Sequence, residues 1–209
     1  MKAVRLHCQF INMQPPPHQL AYSGNLEALR ALPPGPLFQS LSPPPRPEQT
    51  VLYSACRSPN TSIQLVSLLI DKGCIVNQPN GPAALLSCPQ HAAVQSLSEV
   101  VERLQKQVTP PDVHFVKTLL DVLNILKSRG TNMGAMNQYP MTALQEFQKF
   151  QANMSACQAV AHFVPHFVEV LSPAPPSPTV HHPYYAPIHS ASKAHRNAFQ
   201  LHLSAVVRL

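Results

Sequence analysis

Residues 50–77, TVLYSACRSPNTSIQLVSLLIDKGCIVN, decide the fold of this chain. They predict two short helices joined by the Ser-Pro-Asn turn at 58–60. Thr50 is placed to cap the first helix, and Lys72 followed by Gly73 is a helix stop signal for the second. The second helix is so apolar that we expect it to be buried on most sides. The stretch is therefore a helical hairpin.

The same residues resemble one repeat of the ankyrin family. The matching parts are Thr-x-Leu-x-x-Ala at 50–55 and Leu-Leu-Ile-Asp-Lys-Gly-Cys-x-x-Asn at 68–77. The match departs from the family at Val51 and Tyr53, where Pro and His are usual, and at Cys74, which replaces an Ala. One repeat cannot bury its own apolar face, so the resemblance implies partner repeats in the same chain.

Weaker echoes of the repeat occur on both sides. Residues 21–32 resemble the middle of a repeat, with Gly24-Asn25 at the turn between its helices, and residues 81–85 resemble a repeat start that has lost its Thr. Gly130 and Thr142 are separated by the distance between the same two marks in ankyrin repeats. The resemblance covers roughly residues 18–171 and implies about three to four irregular repeats.

The expected fold class is all-α, an ankyrin-like α-solenoid of helical hairpins with Pro-rich loops. Proline is clustered, with 24 residues in a chain of 209, and only 11% of the chain is charged. We expect a flexible leader at 1–17 and a repeat domain at 18–171 that carries a Pro-rich insertion at 33–49. We expect a Pro- and His-rich disordered tail at 172–209.

Further helices follow from apolar spacing and from capping residues. We predict helices over about 19–32, from Pro89 to before Thr109, and over 113–128, where Asp112 is the cap. A further helix begins at Thr142, which can form a capping box with Gln145. The last helix is predicted over 155–171, and Pro165 must kink it or split it in two.

Composition argues against several classes of function. The formal charge of +6 is scattered and does not interleave with aromatic residues, so no nucleic-acid partner is expected. No segment has the 18 or so apolar residues of a membrane helix, so no membrane partner is expected. The five cysteines lack metal-ligand spacing, and we interpret them as reduced, buried thiols of an intracellular, cytoplasmic protein.

Catalysis is not expected, and no cofactor or metal site is predicted. His162 and His166 are four residues apart, a spacing that can hold zinc, but no third ligand is indicated and packing among Val and Phe is favoured. An enzyme that pairs one of these histidines with a cysteine is the third hypothesis.

The ankyrin resemblance implies a non-catalytic module that binds another protein through finger loops and a concave surface. Carried over to this chain, the predicted contact residues are Tyr53, Arg57, Asn77, Gln78 and Asn80 around the clear repeat, with Asn137, Gln138 and Tyr139 from a second finger. The resemblance names neither the partner nor the oligomeric state.

Two alternatives remain open. Residues 42–47 could be a polyproline ligand for an SH3-like groove, with Pro43, Pro44, Arg46 and Pro47 as its contacts. The same segment could instead be a stiff linker. The lost repeat marks and long Pro-rich segments also fit a decayed or truncated member of the family.

Overall fold

A computed structural model describes residues 15–39, 49–80, 87–106 and 112–173. Within these ranges the chain is all-α and holds no strand, although Met136 and Thr142 form an isolated antiparallel bridge. The predicted tail from 174 onward, most of the predicted leader and residues 40–48 of the Pro-rich insertion lie outside the described residues.

The described residues form nine α-helices and two short 3₁₀ helices. The α-helices are α1 (Pro17–Ser23), α2 (Leu26–Ala31), α3 (Val51–Arg57), α4 (Ile63–Asp71), α5 (Pro89–Gln105), α6 (Val113–Ser128), α7 (Ala143–Gln148), α8 (Gln151–Ala156) and α9 (Val164–Leu171). The 3₁₀ helices are Pro36–Phe38 and Ala161–Phe163.

Side-chain caps fix where several helices begin, as the sequence predicts. The Thr50 hydroxyl accepts the backbone N–H of Tyr53 at 3.1 Å, and Asp112 accepts that of Phe115 at 2.8 Å. The capping box at α7 is complete, because Thr142 and Gln145 each bond the other's backbone. Each cap satisfies an N–H that has no partner inside its helix.

Two predicted helices are interrupted. The segment 19–32 is two helices and not one, because Gly24 adopts φ 72° at the point where the repeat resemblance places a turn. A Cβ at Gly24 would approach the Cβ of Asn60 within 2.8 Å, so glycine is required for this close packing as well. The predicted helix 155–171 is α8, a 3₁₀ turn and α9; Pro165 lies in the first turn of α9, where a missing N–H costs nothing.

Helix α4 is buried on one face, and the prediction that it would be buried on most sides is wrong. Leu65, Val66 and Leu69 are fully buried. Ile63 is 41% exposed, and Leu68 and Ile70 are only partly buried. Helices α2, α3 and α6 pack against α4, but its apolar residues exceed the surface that these neighbours cover.

The helices lie in two rows. In the first row, α1, α3, α5 and α7 contact one another in chain order, and in the second row α2, α4, α6 and α9 do the same. The apolar core between the rows includes the fully buried Leu52, Leu69, Leu97 and Leu123. No helix in the described ranges is long and apolar enough to cross a membrane.

Candidate functional site

Three loops lead from the second row back to the first row, and we call their described parts fingers. Finger 1 is residues 33–39, finger 2 is residues 73–80 and finger 3 is residues 130–142. Each finger follows the C-terminal end of a second-row helix. The fingers therefore share one end of the two rows, and the turns within the helix pairs lie at the other end.

Fingers 1 and 2 are joined by side-chain and backbone hydrogen bonds. Nε2 of Gln39 donates to the carbonyl of Gly73 at 3.3 Å, and Nε2 of Gln78 donates to the carbonyl of Gln39 at 2.9 Å. The N–H of Gly35 donates to the carbonyl of Lys72 at 3.2 Å. Gln78 joins the two fingers through its bond to Gln39 and is half-buried, so part of its side chain stays open to solvent.

Fingers 2 and 3 are joined through one residue, Asn77. Its Nδ2 donates to the carbonyl of Gly130 at 3.0 Å, and its Oδ1 accepts the backbone N–H of Asn132 at 2.7 Å. The amide thus bonds the backbone of finger 3 on both sides of Thr131, as a backbone strand would. This residue fixes the distance between two fingers.

Asn137 organises finger 3 from within. Its Oδ1 accepts the backbone N–H of Tyr139 at 2.8 Å and of Met141 at 3.2 Å, and its Nδ2 donates to Oε1 of Glu146 in α7. Asn137 is only 4% exposed. Its side chain holds the loop in shape, and this placement does not fit the contact role predicted for it.

Glu146 anchors that network to helix α7. Burial raises the pKa of its carboxyl to about 7, against the opposing effects of the Asn137 hydrogen bond and of Lys149. Its Oε2 is buried and has no hydrogen-bond partner within the described part of the chain. A carboxylate here is poorly solvated, so the carboxyl changes its protonation state around neutral pH and is mostly protonated only below it.

Asn80 has a structural role at the base of finger 2. Its Oδ1 accepts the backbone N–H of Thr50 at 2.9 Å, and its own N–H donates to the carbonyl of Ser87 at 3.1 Å. The residue is 1% exposed, so a partner could not reach it, and the predicted contact role does not fit. It joins finger 2 to the N-terminal end of α3.

The two first-row residues predicted as contacts, Tyr53 and Arg57, both bond to α5. Tyr53 is buried, and its hydroxyl donates to Oε1 of Gln95 at 2.9 Å. Burial raises the pKa of that hydroxyl. Arg57 donates to Oγ of Ser96 at 3.3 Å and forms an ion pair with Glu99. Both side chains fix α3 against α5, and only Arg57 is partly open to solvent.

Exposed apolar side chains are concentrated on the fingers. The large ones there are Leu37 (52% exposed) on finger 1, Ile75 (48%) on finger 2, and Met136 (58%) and Tyr139 (65%) on finger 3. We call these four residues, with the half-buried Gln78 and Gln138, the finger surface. The prediction did not include Leu37 and Ile75, although an apolar residue between turn residues in each loop was a signal that could have found them.

The histidines of the catalytic hypothesis lie near the end of the chain's helical part: His162 is in the 3₁₀ helix Ala161–Phe163 and His166 is in the first turn of α9. Both side chains are exposed, but the ring of His162 packs against that of Phe163 with centroids 4.0 Å apart, so the predicted packing among Val and Phe holds in part. Cys56 and Cys74 are buried, and burial raises the pKa of each thiol far above neutral pH. Across the described ranges, no group of three possible ligands could hold a metal ion.

The alternative site in the Pro-rich insertion, residues 42–47 with Arg46 at its centre, lies outside the described residues. It stays a prediction.

The comparisons with known proteins name no relative of this chain. A scan against models of protein families found no match, and a search of curated proteins found none.

Proposed function

We propose that this chain is an ankyrin-like α-solenoid that binds another protein through the finger surface, without any covalent step. The support for the solenoid is the order of the helices. Four pairs, α1 with α2, α3 with α4, α5 with α6 and α7 with α9, repeat one arrangement, and each row contacts itself in chain order. Repeat proteins bury a continuous core between neighbours in this way.

The observation that carries the binding function is the coupling of the three fingers beneath exposed apolar side chains. Hydrogen bonds from Gln39, Gln78 and Asn77 run from each finger to the next. Surfaces already held in shape lose little conformational entropy when a partner binds. Contiguous exposed apolar surface on a folded protein commonly marks a binding site.

The partner that fits this surface is a protein that offers apolar side chains with amide or hydroxyl groups between them. Ile75, Met136 and Tyr139 supply apolar contact, and a tyrosine adds a hydroxyl that can hydrogen-bond at an interface rim. The amides of Gln78 and Gln138 supply hydrogen bonds to a backbone.

We also propose that the protein is cytoplasmic. The support is that Cys56 and Cys74 are buried free thiols, which suit a reducing compartment.

Site-specific photo-crosslinking tests this proposal. The full chain is expressed in cells with p-benzoylphenylalanine in place of Tyr139, of Ile75 or of Gln64, which is exposed on the second-row helix α4. We expect positions 139 and 75 to crosslink the same protein and position 64 not to do so. The double variant Ile75→Ser and Tyr139→Ala should weaken its binding by at least about tenfold.

Two results would overturn the proposal. One is equal crosslinking of that protein from position 64, and the other is undiminished binding by the double variant. Both replaced side chains are about half exposed or more, so the variant should fold normally. An unchanged melting temperature confirms that any lost binding is a surface effect.

A further inference from the structure

A cavity of about 280 Å³ opens at the end of the helix rows opposite the fingers. It is lined by Tyr22, Arg57, Pro59, Ser96, Glu99, Arg103 and Phe115. These residues come from the C-terminal ends of α1 and α3, the turn after α3, the second half of α5 and the first turn of α6. No residue of the finger surface contributes to it.

One wall of the cavity is fixed by Arg57. Its guanidinium forms an ion pair with Glu99 and donates to Oγ of Ser96 at 3.3 Å. Ser96 in turn donates to the backbone carbonyl of Cys56 at 3.4 Å. The hydrogen bond from Arg57 lowers the pKa of Glu99, so the pair stays charged and neutralises itself.

Arg103 supplies a positive charge that this pair does not cancel. It lies one turn beyond Glu99 in α5 and is exposed, and no carboxylate of the described residues lies within 4.0 Å of its guanidinium. The charged lining is two guanidinium groups and one carboxylate, which leaves one net positive charge. Tyr22, Pro59 and Phe115 place apolar surface beside it.

We propose that the cavity receives an acidic side chain of a partner protein, Asp or Glu, next to an apolar residue of the same partner. The planar guanidinium of Arg103 matches a carboxylate in a two-point hydrogen bond, and the ring and proline surfaces cover the neighbouring apolar side chain. A volume of about 280 Å³ suits one or two side chains and falls below the usual size of a drug-sized ligand pocket.

Segments of this same chain do not supply the carboxylate side chain. Residues 174–209 contain no Asp or Glu. Glu48 is two residues before Thr50, the cap at the N-terminal end of α3, whereas the cavity lies at the C-terminal end of that helix. We therefore assign the Asp or Glu side chain to another molecule.

Nuclear magnetic resonance with a matched pair of probes tests the proposal. The full chain, labelled with ¹⁵N, is titrated to millimolar concentrations with N-acetyl-Leu-Glu-amide and then with N-acetyl-Leu-Gln-amide. We expect the Glu probe to cause saturable shifts at Ser96, Glu99 and Arg103 and at the Arg Nε–H groups. The Gln probe should bind about tenfold more weakly, because it lacks the charge-assisted hydrogen bond.

A charge-matched pair of variants locates the site. Arg103→Gln should abolish the shifts, whereas Arg30→Gln, which removes the same charge from an exposed position on α2, should leave them unchanged. Tyr139→Ala should also leave them unchanged, so this site and the finger surface can fail separately. Equal affinity for both probes, absence of saturable shifts, or retained binding by Arg103→Gln would each overturn the proposal.

Discussion

Glu146 connects the shape of finger 3 to the protonation of one carboxyl. Its Oε1 accepts from Asn137, whose Oδ1 holds the backbone of Tyr139 and Met141. The other groups that act on it are Lys149, which lowers its pKa, and Tyr53, whose own pKa Glu146 raises. Because burial dominates and raises the pKa of Glu146 to about 7, the folded state prefers the neutral carboxyl.

Stability should therefore depend on pH through this residue. A pKa raised from 4.5 to about 7 on folding contributes stability that is complete below pH 4.5 and is lost as pH rises through 7. Glu146→Gln keeps an acceptor for Asn137 and removes the titration. We expect urea unfolding between pH 5 and pH 8 to show a loss of stability in the wild type that is absent from the variant.

His91 acts in the opposite direction, and the comparison with Glu146→Gln removes its effect. Burial lowers the pKa of His91, so its contribution is present above its unfolded pKa of 6.5 and is lost as pH falls. Since both proteins retain His91, the difference between their curves isolates Glu146. Identical pH profiles would show that Glu146 does not titrate with folding.

At the same scale, sequence reasoning located the finger residues but did not assign their roles. Asn77, Asn80 and Asn137 occur where the repeat resemblance places finger contacts, yet their amides bond backbone groups of the chain itself. An Asn side chain offers two N–H donors and an oxygen with two acceptor sites, so the same residue type suits loop bracing and partner contact equally. Tyr139 and Gln138 stay open to solvent to different degrees, and nothing in their local sequence separated them from the asparagines.

The fingers are elements whose spacing depends on few hydrogen bonds. Asn77 makes the two side-chain bonds that hold finger 2 against finger 3, to Gly130 and Asn132. Gln90, in the first turn of α5, also holds finger 3: its Nε2 donates to the carbonyl of Asn132 at 3.1 Å. Finger 1 is attached to finger 2 by different residues, so the two junctions can be weakened separately.

Asn77→Ala should loosen finger 3 and leave the helices in place. Loss of two partly exposed hydrogen bonds should cost about 1–2 kcal/mol of stability and should speed hydrogen exchange of the Asn132 amide. Asn124→Ala, at an exposed position on α6, is the control and should change neither. Unchanged exchange at Asn132 in Asn77→Ala would contradict a bracing role for Asn77.

Helix ends were predicted well where a side chain defines them and poorly where packing does. The helix predicted over 113–128 has those bounds, and its cap Asp112 and the glycine after it are local signals. The repeat resemblance places the turn between α1 and α2 at Gly24, where it is found, but the close approach of Gly24 to Asn60, 36 residues away, is something that no local pattern reveals. The half-exposed α4 likewise depends on which neighbours cover it.

At the scale of the whole described part of the chain, each helix pair packs mainly on the pair before and after it, which is the linear series of contacts that the proposed solenoid requires. In such a series, stability is the sum of terms for each pair and for each junction between pairs. Helix α5 lies at the centre of this series and contacts α3, α6 and α7. Its buried residues therefore pack at the junctions with both the preceding and the following helix pair. Helix α2, near one end of the described series, packs mainly against α1 and α4.

Two leucine-to-alanine substitutions should therefore differ in how many helices lose protection from hydrogen exchange. Leu97 in α5 and Leu29 in α2 are both fully buried, and each change to Ala should cost about 2–5 kcal/mol. For Leu97→Ala we expect faster hydrogen exchange along α3, α5, α6 and α7 together. For Leu29→Ala we expect the loss of protection to stay in α1, α2 and finger 1, because only one junction separates them from the remainder. If Leu29→Ala reduced protection equally in α7 and α9, the chain would unfold as one indivisible core, and the repeat interpretation of its energetics would be wrong.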